Sequence, residues 1–227
     1  MVGWIQFDKC FSKSVFEVGS VRHRTASKQK RTTKKGKEMI TLERKIVLGA
    51  KGASAPVAQS FKSINVAAEW DGAVDYDLMV TLDGPNGFEF VYFKVTEGAN
   101  GQVKLSGDAG VGDKVAEGGN KEEATITSFN GIKRLGIYVG DYKRMETGKE
   151  GRFDQNNIRV TLTDDLGNQQ ILKASSGTVE GNLCCVGILD LSGEQPMIHN
   201  VSEARKFKSL GDADAILTEL HNLRVNA

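Results

Sequence analysis

Apolar and polar residues alternate along most of the chain after residue 39. Ile64, Val66, Ala68 and Trp70 occupy every second position of one such stretch. A period of two predicts β-strands that bury one face. The same alternation holds over 76–82, 135–139, 158–162 and 183–191. In the last stretch we expect one shared buried face for Leu183, Cys185, Gly187, Leu189 and Leu191.

Residues that favour turns separate these stretches. Gly, Asn, Asp and Pro cluster at 83–87, 98–101, 130–131 and 164–168, and such clusters mark tight turns. The run 88–95 is apolar on both faces, which predicts a central strand of a sheet. Short strands joined by tight turns are typical of a β-sandwich, so we predict an all-β sandwich over residues 39–201.

The last part of the chain, residues 202–227, is predicted to be a helical tail. Its apolar residues follow a 3.6-residue period after Asp212, a suitable N-cap. They are Ala213, Ile216, Leu217, Leu220 and Leu223. An amphipathic helix buries its apolar stripe, and the sequence leaves open whether it packs on its own sandwich or on another subunit.

Residues 1–38 form an N-terminal extension with a basic segment. The formal net charge of the 227-residue chain is +1, and the eight basic residues of 22–37 include no acid between them, so the rest of the chain carries −7. They are Arg22, Arg24, Lys28, Lys30, Arg31, Lys34, Lys35 and Lys37. The segment has no hydrophobic periodicity, so we predict a flexible linker.

Three interpretations of this basic segment stay open. It is a solvated tail, a contact for nucleic acid or another anionic surface, or the translation of a sequence upstream of the native start. The last interpretation rests on Lys35-Gly36-Lys37-Glu38 before Met39, since a purine-rich ribosome-binding site would be translated in this way.

Several protein classes are excluded by composition. No run of about 18 apolar residues exists, so no membrane span is expected, and the first residues do not resemble a secretory signal. Three Cys without a CxxC pair indicate buried thiols in a reducing, cytoplasmic setting. The three His lie in no hydrolase or nucleotide-binding motif, which predicts a protein that is not an enzyme.

An acidic, glycine-rich stretch at 106–123 is the most informative chemical feature. Five acidic residues and five Gly stand there with only two Lys, and oxygen ligands in a flexible loop suit Ca²⁺. Asp75 and Asp77 are two residues apart before a strand, so both carboxylates are able to face one ion. The alternative is a solvated acidic loop.

These residues resemble motifs of the TerD family of tellurite-resistance and stress proteins, over residues 40–202. The matching segments are Asp75-Tyr76-Asp77-Leu78, Ser106-Gly107-Asp108, Gly119-Asn120-Lys121-Glu122, Phe153 with Gln155, and Ile158-Arg159-Val160. The resemblance implies a calcium-binding β-sandwich. Carried over residue by residue, it implies metal ligands at Asp75, Asp77, Asp108, Asn120 and Glu122.

The sequence also departs from the family pattern. Met79, Ala109, Gly118 and Lys121 stand at acidic or amide positions of the motif, and the loop is longer around 114–117. We therefore expect one Ca²⁺ site here, or none.

The resulting functional prediction is a non-enzymatic TerD-like binding or scaffold protein with a Ca²⁺-stabilised loop. Tellurite resistance or stress response is implied by the resemblance alone. The alternative is a structural assembly subunit, such as a phage virion component, in which the termini contact protein partners or further copies.

Overall fold

Two β-sheets and one short helix form the part of the chain that the structure, a computed structural model, describes: residues 26–30, 41–57, 61–106, 119–174 and 180–206. The strands are β1 (Ala26–Lys30), β2 (Thr41–Leu48), β3 (Ser54–Pro56), β4 (Ile64–Trp70), β5 (Tyr76–Gly84), β6 (Gly87–Val91), β7 (Glu97–Gly98), β8 (Val103–Leu105), β9 (Asn120–Ile126), β10 (Arg134–Asp141), β11 (Arg159–Asp164), β12 (Gln169–Lys173), β13 (Leu183–Asp190) and β14 (Met197–Arg205). The helix α1 (Tyr142–Thr147) follows β10, and a 3-10 turn (Phe153–Gln155) precedes β11.

The strands form an eight-stranded sheet in the order β1-β2-β12-β11-β4-β9-β8-β7 and a six-stranded sheet in the order β3-β14-β13-β10-β5-β6. The described pairs are antiparallel, except that β12 runs parallel to β2. The predicted all-β sandwich is confirmed.

The main core lies between the two sheets and contains the alternating residues that the sequence identified. From β4 of the eight-stranded sheet it takes Ile64, Val66, Ala68 and Trp70. From the six-stranded sheet it takes the alternating residues of β5 and β10, which are Tyr76, Leu78, Val80, Leu82, Leu135, Ile137 and Val139. Burial of these apolar surfaces, at about 25 cal/mol per Å², is the main force that holds the sheets together.

The predicted single face of 183–191 is wrong. A β-bulge interrupts β13, because Ile137 of β10 lies opposite Gly187 while the next residue, Tyr138, lies opposite Cys185. The extra residue reverses which side chains face inward. Leu183 and Cys185 consequently point away from the main core, whereas Leu189 contributes to it.

The prediction of a central strand over 88–95 is also wrong. Only Gly87–Val91 forms a strand, and this strand, β6, is the edge of the six-stranded sheet. The chain then turns back on itself through a bridge between Tyr92 and Val95. The segment is apolar on both faces because the sheet itself is apolar on both faces.

A second group of buried apolar side chains lies on the face of the six-stranded sheet that points away from the eight-stranded sheet. Gly140 allows α1 to approach this face closely, since a Cβ there would lie 2.5 Å from Met145 Cε. We call the group the outer cluster. Its members are Met79, Phe90, Tyr92, Tyr138, Met145, Leu183, Cys185, Ile188 and Val201.

The two adjacent thiols point to opposite faces, as the sequence predicts for neighbours on a strand. Cys184 lies in the main core and Cys185 in the outer cluster. Burial raises the pKa of the Cys185 thiol to about 12 and that of Cys184 well above its usual value. Both groups therefore stay protonated near neutral pH and are poor nucleophiles. Cys10 lies outside the described residues.

The prediction of a flexible linker over 22–37 is wrong for Ala26–Lys30. These residues form β1 and pair antiparallel with β2, from Ala26 opposite Lys45 to Lys30 opposite Thr41. Backbone hydrogen bonds to a neighbouring strand need no hydrophobic periodicity. The positions 22–25, 31–37 and Met39 lie outside the described residues, so the nucleic-acid contact and the alternative start stay predictions.

At the other end, β14 continues to Arg205, so the sandwich extends past the predicted boundary at residue 201. The predicted helix over 212–223 lies outside the described residues.

Within the described ranges, we find no helix of the length and apolar character that a membrane span requires.

Tyr76 provides a test of the core at high pH. Its ring is 2% exposed and stacks on Phe153 at 5.6 Å between centroids, and its Oη accepts a hydrogen bond of 2.7 Å from Asn156 Nδ2. Burial raises the pKa of this phenol to about 12. The folded state therefore keeps the proton that the unfolded chain releases above about pH 10, and stability falls as the pH rises from 10 towards 12.

We expect the free energy of unfolding to fall, between pH 9 and pH 11, by about 1.4 kcal/mol more in the parent than in Tyr76→Phe. Urea unfolding at the two pH values measures this difference. Equal losses in the two proteins would show that the phenol ionises normally in the folded state.

Candidate metal centre

The first half of β5 has no hydrogen-bonded neighbour on the side of β6. β5 pairs with β10 from Tyr76 to Asp83, but with β6 only from Val80 to Gly84. At this end of the sandwich, β5 lies next to β9 of the eight-stranded sheet.

The Glu122 carboxylate connects β9 to this part of β5. Burial alternates along β9, so Asn120, Glu122 and Ala124 share its inward face. Leu78 N donates a hydrogen bond of 2.5 Å to Glu122 Oε2, and the Glu122 side chain is buried. A hydrogen bond to a charged acceptor is stronger than a neutral one. The Glu122 carboxylate thus satisfies the backbone N–H of Leu78, which β6 does not reach.

Asp77 and Glu122 meet in one cavity, although they come from different sheets. The cavity has a volume of about 90 Å³ and is lined by Asp77, Leu78, Phe93, Thr96, Leu105, Glu122 and Glu123. Asp77 is 7% exposed. The space exceeds what one water molecule needs, so a cation with part of its hydration shell fits by volume.

The other predicted ligands occupy different positions. Asp75 precedes β5, and its backbone oxygen accepts a 3.0 Å hydrogen bond from Tyr142 N. Asn120 Nδ2 donates to Gly72 O at 2.6 Å, which ties the turn before β5 to β9. Neither residue lines the cavity, and Asp108 lies outside the described residues. The structure thus brings together two of the five predicted ligands, and the complete ligand set stays a prediction.

Glu123 also lines the cavity, although the sequence did not single it out as a ligand. Its Oε1 lies 2.6 Å from Lys121 Nζ and accepts a 2.9 Å hydrogen bond from Asn65 Nδ2. The hydrogen bonds from Lys121 and Asn65 hold the pKa of Glu123 below its usual value. Because side chains alternate along β9, the Glu123 side chain lies on the opposite face from Glu122 and pairs there with Lys121, which makes it a weaker ligand candidate than Glu122.

Three lining residues, Phe93, Thr96 and Leu105, carried no chemical signal in the sequence. Phe93 and Thr96 belong to the turn that follows the edge strand β6, and this turn was not predicted. Their place beside Asp77 depends on the strand order, which local sequence patterns do not encode.

The described residues do not complete a metal site on their own. Among them, no three His, Cys, Asp or Glu side chains are grouped closely enough to hold a metal ion. Asp77 and Glu122 are hard oxygen donors of the kind that Ca²⁺ prefers, and Ca²⁺ takes about six to eight oxygens. The remaining ligands would have to come from water and from the acidic segment 107–118, which lies outside the described residues.

The role of Glu122 as a hydrogen-bond acceptor is testable without metal. We expect Glu122→Ala to lower the free energy of unfolding in EDTA by about 1–3 kcal/mol, because the buried Leu78 N–H loses its partner. Glu123→Ala is the matched control, and its partly exposed ion pair predicts a loss of about 1 kcal/mol or less. Urea unfolding measures the loss of stability in both variants. Equal losses would contradict the hydrogen bond assigned between Leu78 and Glu122.

No family model matches the chain, and no curated protein matches it. Several solved structures are similar to it, among them the following two. One is the crystal structure of SAV2460, a protein of unknown function, with 17% identity and a TM-score of 0.45, covering 64% of this chain and 93% of that chain. The other is SCO6318 from Streptomyces coelicolor A3(2), a homologue of the telluride resistance protein TerD, with 18% identity and a TM-score of 0.45, covering 71% of this chain and 98% of that chain.

Proposed function

We propose that this protein is a non-enzymatic binding or scaffold protein of the TerD type, with one Ca²⁺ bound between β5 and β9. The carboxylates of Asp77 and Glu122 hold the ion from the two sheets, and Asp108 completes the site from the acidic segment. The motif resemblance suggests tellurite resistance or stress response as its setting.

The observation that carries this proposal is that two buried acidic residues, Asp77 and Glu122, line one cavity. Oxygen donors from two strands that line one cavity are a suitable pair of ligands for a hard divalent cation. The bound ion would supply positive charge and several coordination positions, through which it would join the two sheets at this end.

The acidic segment leaves the described fold beside the same cavity. Ser106 N and Ser106 Oγ each donate a hydrogen bond of 2.9 Å to Glu123 O, so Ser106 is fixed next to β9. Asp108 is two residues further on, and two extended residues span at most about 7 Å. Its carboxylate is therefore within reach of the cavity by chain length.

The surrounding charges favour a cation. The stretch 106–123 contains five acidic residues and two Lys, and Lys121 pairs with Glu123. A hard divalent ion with flexible, oxygen-rich coordination matches this composition better than a soft metal, which would select thiolate or imidazole ligands.

The two described thiols are poorly suited to nucleophilic catalysis. The Cys184 and Cys185 thiols are buried, and their raised pKa values keep them protonated. Neither thiol lines the cavity.

The test is the stability of the full chain with and without calcium. At a Ca²⁺ concentration 100 times the dissociation constant, we expect a gain of about 2.7 kcal/mol over EDTA by mass action. Asp77→Asn, Glu122→Gln and Asp108→Ala should each lose most of this gain. Glu69→Gln makes the same charge change at a half-exposed site paired with Arg159, and it should keep the gain.

Isothermal titration calorimetry of the same four variants separates binding from stability. An unchanged melting temperature across EDTA and millimolar Ca²⁺ in the parent would contradict the proposal and would favour a solvated acidic loop over 107–118. A gain that survives in all three ligand variants would place the ion elsewhere.

A further inference from the structure

The outer cluster is a large apolar surface on the face of the six-stranded sheet that points away from the main core. In a sandwich of two sheets, this face normally meets solvent. Met79 is 2% exposed, Cys185 3% and Tyr138 4%, and all three point away from the main core. Side chains on an uncovered sheet face are exposed, so burial of this degree requires a covering element.

The covering elements within the described residues are small. Helix α1 contributes Met145 to the cluster, and its six residues span only about 9 Å at 1.5 Å per residue. The cluster extends from β6 to β14, which are the outer members of five neighbouring strands. Four strand spacings of about 4.8 Å make this width about 19 Å.

The chain leaves the described fold at the border of this surface. β14 contributes Val201 to the outer cluster and ends at Arg205, whose carbonyl oxygen accepts a 3.0 Å hydrogen bond from Asn182 N. The next residue, Lys206, lies 3.0 Å from Glu150, just beyond α1. These contacts hold the chain beside α1 at the point where the segment 207–227 starts.

Residues 207–227 have the pattern and the length to cover the surface. Ile216, Leu217, Leu220 and Leu223 fall on one side of a helix, whereas Thr218 falls on the other. A helix that starts after the N-cap Asp212 and runs to residue 225 would be about 20 Å long, which matches the 19 Å from β14 to β6. A segment of this length is marginal as an isolated helix, so its stability depends on burial of the stripe.

The geometry points to residues 207–227 of the same chain as the occupant of the outer cluster, lying across β14, β13, β10, β5 and β6 with the Leu217 and Leu220 side directed at the sheet. The segment acts as a strap that covers Cys185 and makes the six-stranded sheet the middle layer of the molecule.

The test uses the full chain and the reactivity of Cys185. In a Cys10→Ser background, labelling by a thiol reagent reports the exposure of Cys184 and Cys185, and peptide mass mapping separates the two. We expect Leu220→Asp to accelerate labelling of Cys185 by about tenfold or more, because the rate follows the local opening of the cover. Labelling of Cys184, which faces the main core, should remain slow.

Thr218→Asp is the matched control, since it adds the same charge to the opposite side of the helix. It should leave Cys185 protected. Equal labelling of Cys185 in the parent, Leu220→Asp and Thr218→Asp would overturn the proposal. Fast labelling of both thiols in Leu220→Asp would indicate global unfolding. In that case oxidative cross-linking decides whether the segment lies on the outer cluster.

Oxidative cross-linking locates the segment without destabilising it. We expect a cysteine placed at Leu217 or Leu220 to form a disulfide with Cys185 within one chain, whereas a cysteine at Thr218 should not. A cross-link only between two chains would show that a second copy covers the surface. No cross-link from either stripe position would show that the segment lies elsewhere. Both of these results would overturn the proposal.

Discussion

Both faces of the six-stranded sheet are apolar, and this constraint shapes the rest of the molecule. One face packs on the eight-stranded sheet and forms the main core, and the other carries the outer cluster. A sheet that is buried on both faces gives a polar side chain little access to water, so each one needs a partner inside the protein. Asp77 of this sheet is such a side chain, and it lines the candidate metal centre together with Glu122 of the eight-stranded sheet.

The candidate metal centre and the outer cluster are adjacent parts of one structure. Asp77 and Met79 lie on the same face of β5, since they are two residues apart on a strand. Phe93 lines the cavity and also packs against the outer cluster, and its ring contacts Tyr142 edge-to-face at 5.4 Å. Phe93 is thus shared between the cavity and the outer cluster.

The sequence predicts the parts of the fold that depend on local patterns. Alternation identified β4, β5, β10 and β11 because each has a regular backbone with one face in the main core. It failed at β13, where the bulge near Gly187 reverses the inward side. It also misplaced β6, because an apolar outer face gives an edge strand the composition of a central one.

The sequence predicts those features of the candidate site that depend on local motifs, and it does not predict those that depend on strand order. Asp77 and Glu122 belong to motifs that can be compared along the chain. Their meeting across two sheets, and the contribution of Phe93 from an edge turn, depend on the strand order. The assignment of β1 to the basic segment likewise depends on an available edge of β2 and not on any periodicity of its own.

The Leu78 amide reports most directly on the central claim, which is that the Glu122 carboxylate both joins the two sheets and binds the ion. A calcium titration of the isotopically labelled full chain, followed by amide NMR, measures it. The account predicts that the Leu78 resonance shifts together with those of the acidic segment at 107–118, with one common dissociation constant. A calcium response in the acidic segment that left Leu78 unchanged would contradict it.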